Sequence, residues 1–216
     1  MASRTRDAAP TTQASYAYDA LRRDIISGQL AGGERIRQAE WAESLQISIT
    51  PVREAIRRLE QDGLVVSTAH RGTTVLGLTL DRAEEIYAMR FRVEPLQIAR
   101  AMGKMTEADA LRARTLCDEM GSLSDVIEFT ELNEQFHRIT MAYDDSWTSH
   151  VVTLLAAAAS PYVSRSLQLD PRQIEASNAQ HYAMLEAFID QDEELATKIE
   201  LEHLRSTLVI LRKHFT

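Results

Sequence analysis

Residues 40–63 read Glu-Trp-Ala-Glu-Ser-Leu-Gln-Ile-Ser-Ile-Thr-Pro-Val-Arg-Glu-Ala-Ile-Arg-Arg-Leu-Glu-Gln-Asp-Gly, and no other stretch narrows the possible folds as far. The pattern predicts two short helices joined by a turn. Ser48 and Thr50 are residue types that cap helix N-termini, and Pro51 suits a first helical position, where its missing N–H costs nothing. Two faces then separate. Val52, Ile56 and Leu59 fall at i, i+4, i+7 and are expected inside, while Thr50, Arg53 and Arg57 fall at i, i+3, i+7 on the other side. A helix with an apolar back and an Arg/Thr front, preceded by a shorter amphipathic helix, is how a helix-turn-helix offers its recognition helix to DNA. An ordinary surface helix would carry the same solvated arginines, so the flanks matter.

After Gly63, a suitable residue to follow a helix, come Leu-Val-Val-Ser and Thr-Ala-His-Arg-Gly-Thr-Thr-Val. Two short β-branched runs around His70-Arg71-Gly72 predict a hairpin with a basic tip, a wing of the kind that reaches phosphates or the minor groove. Upstream, Tyr16 to Ser27 is expected to be helical with Tyr18, Leu21, Ile25 and Ile26 as its apolar stripe, and Gly28 with Gly32-Gly33 turns the chain into the motif.

On these residues the chain resembles the winged helix of GntR-family transcription regulators. The resemblance spans about residues 14–77 and rests on Gly-Gly-Glu-Arg-Ile, Trp-Ala-Glu-Ser-Leu, Ser-Ile-Thr-Pro-Val-Arg-Glu-Ala-Ile-Arg-Arg-Leu and the later Arg-Gly. It implies DNA contacts from Thr50, Arg53 and Arg71, with Arg35, Arg57, His70 and Gly72 beside them. The family commonly has an arginine between the Ser and Thr of the motif, and here that position is Ile49. Ile49 forfeits one bidentate guanine contact and is able to meet a thymine methyl instead, so the base preference does not carry over.

A net charge of −8 looks wrong for a DNA binder until it is divided. Residues 1–78 hold 10 Arg and Lys against 9 Asp and Glu, and the remainder holds 14 against 23. The first part is therefore only weakly basic, and DNA affinity should rest on a few placed arginines. With 44% hydrophobic and 26% charged residues the chain is globular, and 216 residues suit two modest domains. The single cysteine, Cys117, excludes an intramolecular disulfide framework and is expected in the core. No stretch is long and apolar enough to span a membrane, and the N-terminus has no apolar signal core. Residues 1–13 are expected to be a disordered tail and the protein cytoplasmic.

From residue 79 to residue 216 the pattern is helical throughout. Asp81–Met102 carries Ile86, Met89, Val93 and Leu96 on one side, with a kink expected at Pro95. Thr106-Glu-Ala-Asp opens a helix running to about Met120 with a capping-box-like start. Ser124–Tyr143, Trp147–Leu167 with a bend at Pro161, Pro171–Asp190 and Glu193–His214 follow. The fold class is mainly α: a winged helix-turn-helix over 14–78, then a six-helix antiparallel bundle over 79–216.

Three histidines in this bundle stand out. His137 follows Asn133 by one turn on the same helix face, His181 precedes Met184 and Leu185, and His203 precedes Thr207 and Leu208. These flanks place the imidazoles at or near the interior. A single interior histidine is usually a satisfied core residue; three on three helices also suit a shared metal site.

The segments Tyr87-Ala-Met-Arg-Phe-Arg-Val-Glu94, Asn-Glu-Gln-Phe-His at 133–137, Gln-His-Tyr-Ala-Met-Leu-Glu-Ala-Phe-Ile at 180–189 and Glu-His-Leu at 202–204 resemble the FCD effector-binding domain of the FadR-like branch of that family. Six helices would suit its VanR-like subgroup. The resemblance implies a divalent ion, zinc or nickel, held by His137, His181 and His203 and by the position of Asn133, where the family has Asp. Asn offers a neutral carbonyl oxygen and is a weaker donor for such ions. An ion with four neutral ligands keeps its full charge and should attract an anionic effector, expected to be a small organic acid. The resemblance places Arg90 near the pocket, where it would pair with the same carboxylate; its other reading is an i,i+4 partner of Glu94.

The expected function is therefore a ligand-responsive regulator, with repressor the expected sign, binding an inverted-repeat operator as a homodimer and hinged around Val75–Asp81. The competing reading is a metalloenzyme whose three-histidine centre activates water. That reading needs a general base, which no motif supplies, and Glu134 is turned about 100° from Asn133 along its helix.

Overall fold

The computed structural model describes residues 12–68, 72–141 and 144–215, and forms two compact units that divide between Leu76 and Gly77. Of the tail expected over residues 1–13, residues 1–11 lie outside the described residues, and the expectation is corrected at its end: Thr12 caps the first helix and Gln13 opens it.

The first unit begins with α1 (Gln13–Ser27), capped by Thr12, whose side chain accepts from the Ser15 N–H. It buries Tyr18, Leu21, Ile25 and Ile26 as the spacing predicts, and Gly28 closes it in the left-handed region at φ +81°. A short strand, β1 (Arg35–Ile36), leads to α2 (Gln38–Ser44). The turn then passes through Gln46 at φ 55° into α3 (Ile49–Gln61). That helix starts two residues earlier than the proline rule suggests. Ser48 is the N-cap residue, and Pro51 occupies the third helical position, still within the first turn whose N–H groups have no intrahelical partner. Val52, Ala55, Ile56 and Leu59 pack against α1, closing a core with Leu30, Ile36, Leu64, Val65 and Val75. The hairpin forms as β2 (Val65–Thr68) and β3 (Gly72–Val75), and the antiparallel sheet has the order β1-β3-β2. Its tip, with His70 and Arg71, lies outside the described residues.

The second unit is six helices: α4 (Leu80–Ala101), α5 (Glu107–Gly121), α6 (Val126–Thr140), α7 (Trp147–Leu169), α8 (Arg172–Ile189) and α9 (Glu193–His214). The capping box at the start of α5 is formed in full, with Thr106 and Asp109 exchanging hydrogen bonds. Neither proline divides its helix, since α4 and α7 each continue as one element past Pro95 and Pro161. Cys117 is buried in the core, and burial pushes its thiol up to about 12, as suits a small core residue.

The apolar stripe expected on α4 is wrong on one point that matters. Ile86 is buried, but Met89 is 42% and Leu96 59% exposed, and Val93 is half-buried. The inner face carries Ala83, Ile86, Tyr87, Arg90, Glu94, Gln97 and Ile98. Apolarity alone misassigns such a helix, because Arg90 and Glu94 neutralise each other and can be buried together. One apolar cluster joins Tyr87, Leu155, Tyr162, Leu204 and Leu208; another joins Ile98, Met120, Phe129, Phe136, Met184 and Leu185. Between their contributions to α4 lie Arg90 and Glu94, and between those to α9 lies Glu200, with His203 beside Leu204. The core is interrupted there by buried polar groups. No helix among the described residues is long and apolar enough to cross a membrane.

Candidate functional site

The first candidate surface is the outer face of α3. Thr50, Arg53 and Arg57 are exposed there, opposite the buried Val52, Ile56 and Leu59, and Ile49 is 40% exposed beside them. Arg53 Nε donates to Gln38 Oε1 at 3.1 Å, which fixes the arginine above the start of α2. Arg58 turns the other way. Its guanidinium lies 3.9 Å from the ring centroid of Tyr18, and the Tyr18 hydroxyl donates to Asp62. The sequence therefore splits the arginines of one helix, with Arg58 holding α3 to α1 and Arg53 and Arg57 facing outward. Arg35, on β1, lies over the start of β3, so that a Cβ on Gly72 would come within 2.9 Å of its Nε and Nη2. Glycine at φ +81° permits this approach. Arg35 and Gly72 thus meet at the base of the wing.

The second candidate is inside the bundle. The inner face of α6 carries Phe129, Asn133 and Phe136; that of α8 carries His181 between Asn178 and Met184; that of α9 carries Glu200, His203 and Thr207. Helical spacing at i, i+3, i+4 and i+7 brings His137, His181 and His203 to one place. Their ring centroids are 5.2, 5.4 and 4.9 Å apart, and one nitrogen from each lies within 4.8 Å of the others. Nitrogens on one tetrahedral zinc-like ion stand about 3.3 Å apart, so modest side-chain adjustment brings these within range. Phe136 walls the cluster, with its ring 4.7 Å from that of His181. Asn133 is buried one turn before His137 on α6.

Electrostatics hold the three imidazoles neutral. Burial, then the neighbouring Arg90, pushes His203 down to about 4. Burial, then His203 and Arg90, holds His137 well below the ordinary value, and burial with His203 and His137 does the same for His181. Their lone pairs are thus available at neutral pH. Both nitrogens of His181, and Nδ1 of His137, are buried with no hydrogen-bond partner among the described residues. Buried polar atoms without partners are uncommon and costly. Three neutral imidazoles converging in the bundle interior, two of them with unpartnered nitrogens, fit a divalent ion by geometry and by chemistry.

Arg90 takes the i,i+4 arrangement: Nε donates to Glu94 Oε1 at 2.6 Å, both residues being buried. Burial alone would lower its pKa, but Glu94, Tyr87 and Glu200 outweigh it, and the guanidinium stays charged. Glu134, the nearest acidic residue in sequence to the α6 pair, accepts from Ser160 Oγ on α7.

Two residues at this site escaped the sequence reading. Gln180 Oε1 lies 2.9 Å from His203 Nδ1. Glu200 is fully buried, and its Oε2 is 3.8 Å from His137 Nδ1. Burial, then the Glu94 carboxylate, raises the Glu200 pKa well above the ordinary range. The signal was present: Ala196, Glu200, His203, Leu204 and Thr207 keep inner-face spacing along α9.

Residues 13–75 match the family described as bacterial regulatory proteins, gntR family, and residues 85–206 match the FCD domain. The HTH-type transcriptional regulator YdhC of Bacillus subtilis is 31% identical over 150 residues, covering 68% of this chain and 66% of that protein. The HTH-type transcriptional repressor RspR of Escherichia coli is 28% identical over 128 residues, covering 56% of this chain and 55% of that one. Among solved structures, E. coli McbR/YncC shares the fold, with a TM-score of 0.82 at 20% identity over 95% of this chain and 99% of that one.

Proposed function

We propose, for a chain that belongs to the GntR family of bacterial regulatory proteins and is a DNA-binding transcriptional regulator with an FCD domain, that a metal-held organic acid controls its grip on DNA. Convergence of three neutral imidazoles from α6, α8 and α9, two buried and that of His137 nearly so, carries this reading. His137, His181 and His203 hold a divalent ion, zinc or nickel, with the Asn133 carbonyl oxygen beside them. A carboxylate effector binds to the ion, drawn also by the charge that Arg90 keeps near the site. Six helices in the bundle support the VanR-like subgroup.

On the DNA side, Thr50, Arg53 and Arg57 meet base edges and phosphates in the major groove, with Ile49 against a thymine methyl. Arg35, His70, Arg71 and Gly72 form the wing contact. Two copies bind an inverted repeat about one DNA turn apart, and residues 76–79, between β3 and α4, act as the hinge. The exposed Met89 and Leu96 on α4 support pairing of two copies through the bundle. The name of the E. coli relative supports a repressor. The protein acts in the cytoplasm, where its DNA lies, and is not an enzyme. The relatives, named as transcriptional regulators, support the last point.

Elemental analysis of tag-free protein beside His181→Ala tests the metal. About one equivalent per chain, lost in the variant, is expected; none in either would refute it. Titration of small organic acids before and after chelation then tests the effector. Binding undiminished without metal would remove the ion from recognition.

A further inference from the structure

We propose that Glu200 is the positioning residue of the three-histidine centre, holding His137 by Nδ1 and supplying the negative charge that Asn133 lacks. This rests on the metal reading above. The geometry repeats at two histidines. At His203, Gln180 Oε1 lies 2.9 Å from Nδ1; an Nδ1–H donated to that oxygen leaves the Nε2 lone pair for an ion. At His137, Glu200 Oε2 stands 3.8 Å from Nδ1, a small closure short of the same bond. Ligating histidines characteristically donate their second N–H to a carboxylate or carbonyl oxygen, which fixes the tautomer and makes the ring a better donor.

Charge points the same way. Arg90 and Glu94 are paired at 2.6 Å, so they bring the site no net charge. Asn133 brings none. Glu200 is fully buried, and neither of its oxygens accepts a hydrogen bond from an N–H or hydroxyl donor among the described residues. The Glu94 carboxyl lies against it, a like charge that can bond to it only while one of the two keeps a proton. A buried carboxyl in that position is costly unless a cation compensates it. The bundle provides Arg90, already engaged, and the space among the three imidazoles. A divalent ion there gives Glu200 a partner, and Glu200 leaves the ion with less residual charge than four neutral ligands would.

The test uses the full chain stripped of metal, with Zn2+ alone as the probe in competition with a chromophoric chelator. Wild type is compared with Glu200→Gln, Asn133→Asp, the double variant and His181→Ala. Glu200→Gln should weaken Zn2+ binding by about 10–100-fold. Its metal-free melting temperature should not fall, which separates positioning from a general packing role. Asn133→Asp should recover most of the loss in the Glu200→Gln background and add less to wild type, because the two charges substitute for each other. Equal Zn2+ affinity in wild type and Glu200→Gln, with binding lost in His181→Ala, would overturn the Glu200 assignment alone. So would an equal gain from Asn133→Asp in both backgrounds. Wild type binding no more Zn2+ than His181→Ala would overturn the metal reading, and the Glu200 assignment with it.

Discussion

His203→Gln should change how the stability of the metal-free bundle depends on pH. In the folded chain His203 is pushed down to about 4 by burial and by Arg90. In the unfolded chain it titrates near an ordinary value of about 6.5. Between those values the unfolded chain binds the proton and the folded chain does not, so acidification favours unfolding. The stability is present above the unfolded value and drains away as pH falls toward the folded one. Integrated from about pH 7 to about pH 5, the His203 contribution is a loss of about 2 kcal/mol, approaching about 3 kcal/mol below pH 4. Glu200 works with the opposite sign, because its raised pKa makes the folded chain the better proton binder. Comparing wild type with His203→Gln cancels that contribution to first order. The assay is urea unfolding of the bundle, followed by circular dichroism at both pH values. The stability gap between the two proteins should shift by about 2 kcal/mol against wild type on acidification. A gap that does not move with pH would mean that His203 is not held neutral, and the argument for its available lone pair would fail.

Arg53→Ala should weaken operator binding and lower the salt dependence by about one phosphate's worth of counterion release, measured by fluorescence anisotropy across salt concentrations. Unchanged affinity and slope would remove α3's outer face from the DNA. Gly72→Ala forces a side chain into a left-handed position and against Arg35, and should cost about 1 kcal/mol or more of stability in the winged unit, read by chemical denaturation. Leu96→Glu, on the exposed side of α4, should shift the protein from dimer to monomer in analytical ultracentrifugation. An unshifted dimer would place the interface elsewhere.

The recognition helix was legible because its two faces differ sharply, and the inward side chains Val52, Ile56 and Leu59 follow helical period without exception. The histidines were legible for the same reason, since each sits in an apolar frame that fixes its direction. What failed was the reading of α4 by apolarity. Met89 and Leu96 look like core residues, yet the buried side belongs to Arg90, Glu94 and Gln97. Their burial depends on mutual neutralisation, and on the bond from Gln97 Nε2 to the Met141 carbonyl at 2.7 Å, a contact 44 residues away in the chain. Glu200 was hidden among the acidic residues of α9, where Glu193, Glu194 and Glu202 suggest a solvated helix. Only the spacing from Ala196 to His203 sets it apart. The i,i+4 pairing of Arg90 with Glu94 was visible from sequence; its burial was not.

His137, His181 and His203 are 44 and then 22 residues apart in the chain, on three different helices. An ion joining them would act as a removable cross-link, closing two long loops of the unfolded chain at once and raising the cost of any motion that separates α6, α8 and α9. Its effect would be felt as lost freedom before any change of shape. A ligand that tightens or releases such a clasp alters how readily the bundle opens locally. α4 shares that interior through Arg90 and is joined to the wing's last strand by four residues. If the proposed ion and effector bind there, the response would be carried by a change of stiffness in the bundle, with little displacement of its backbone.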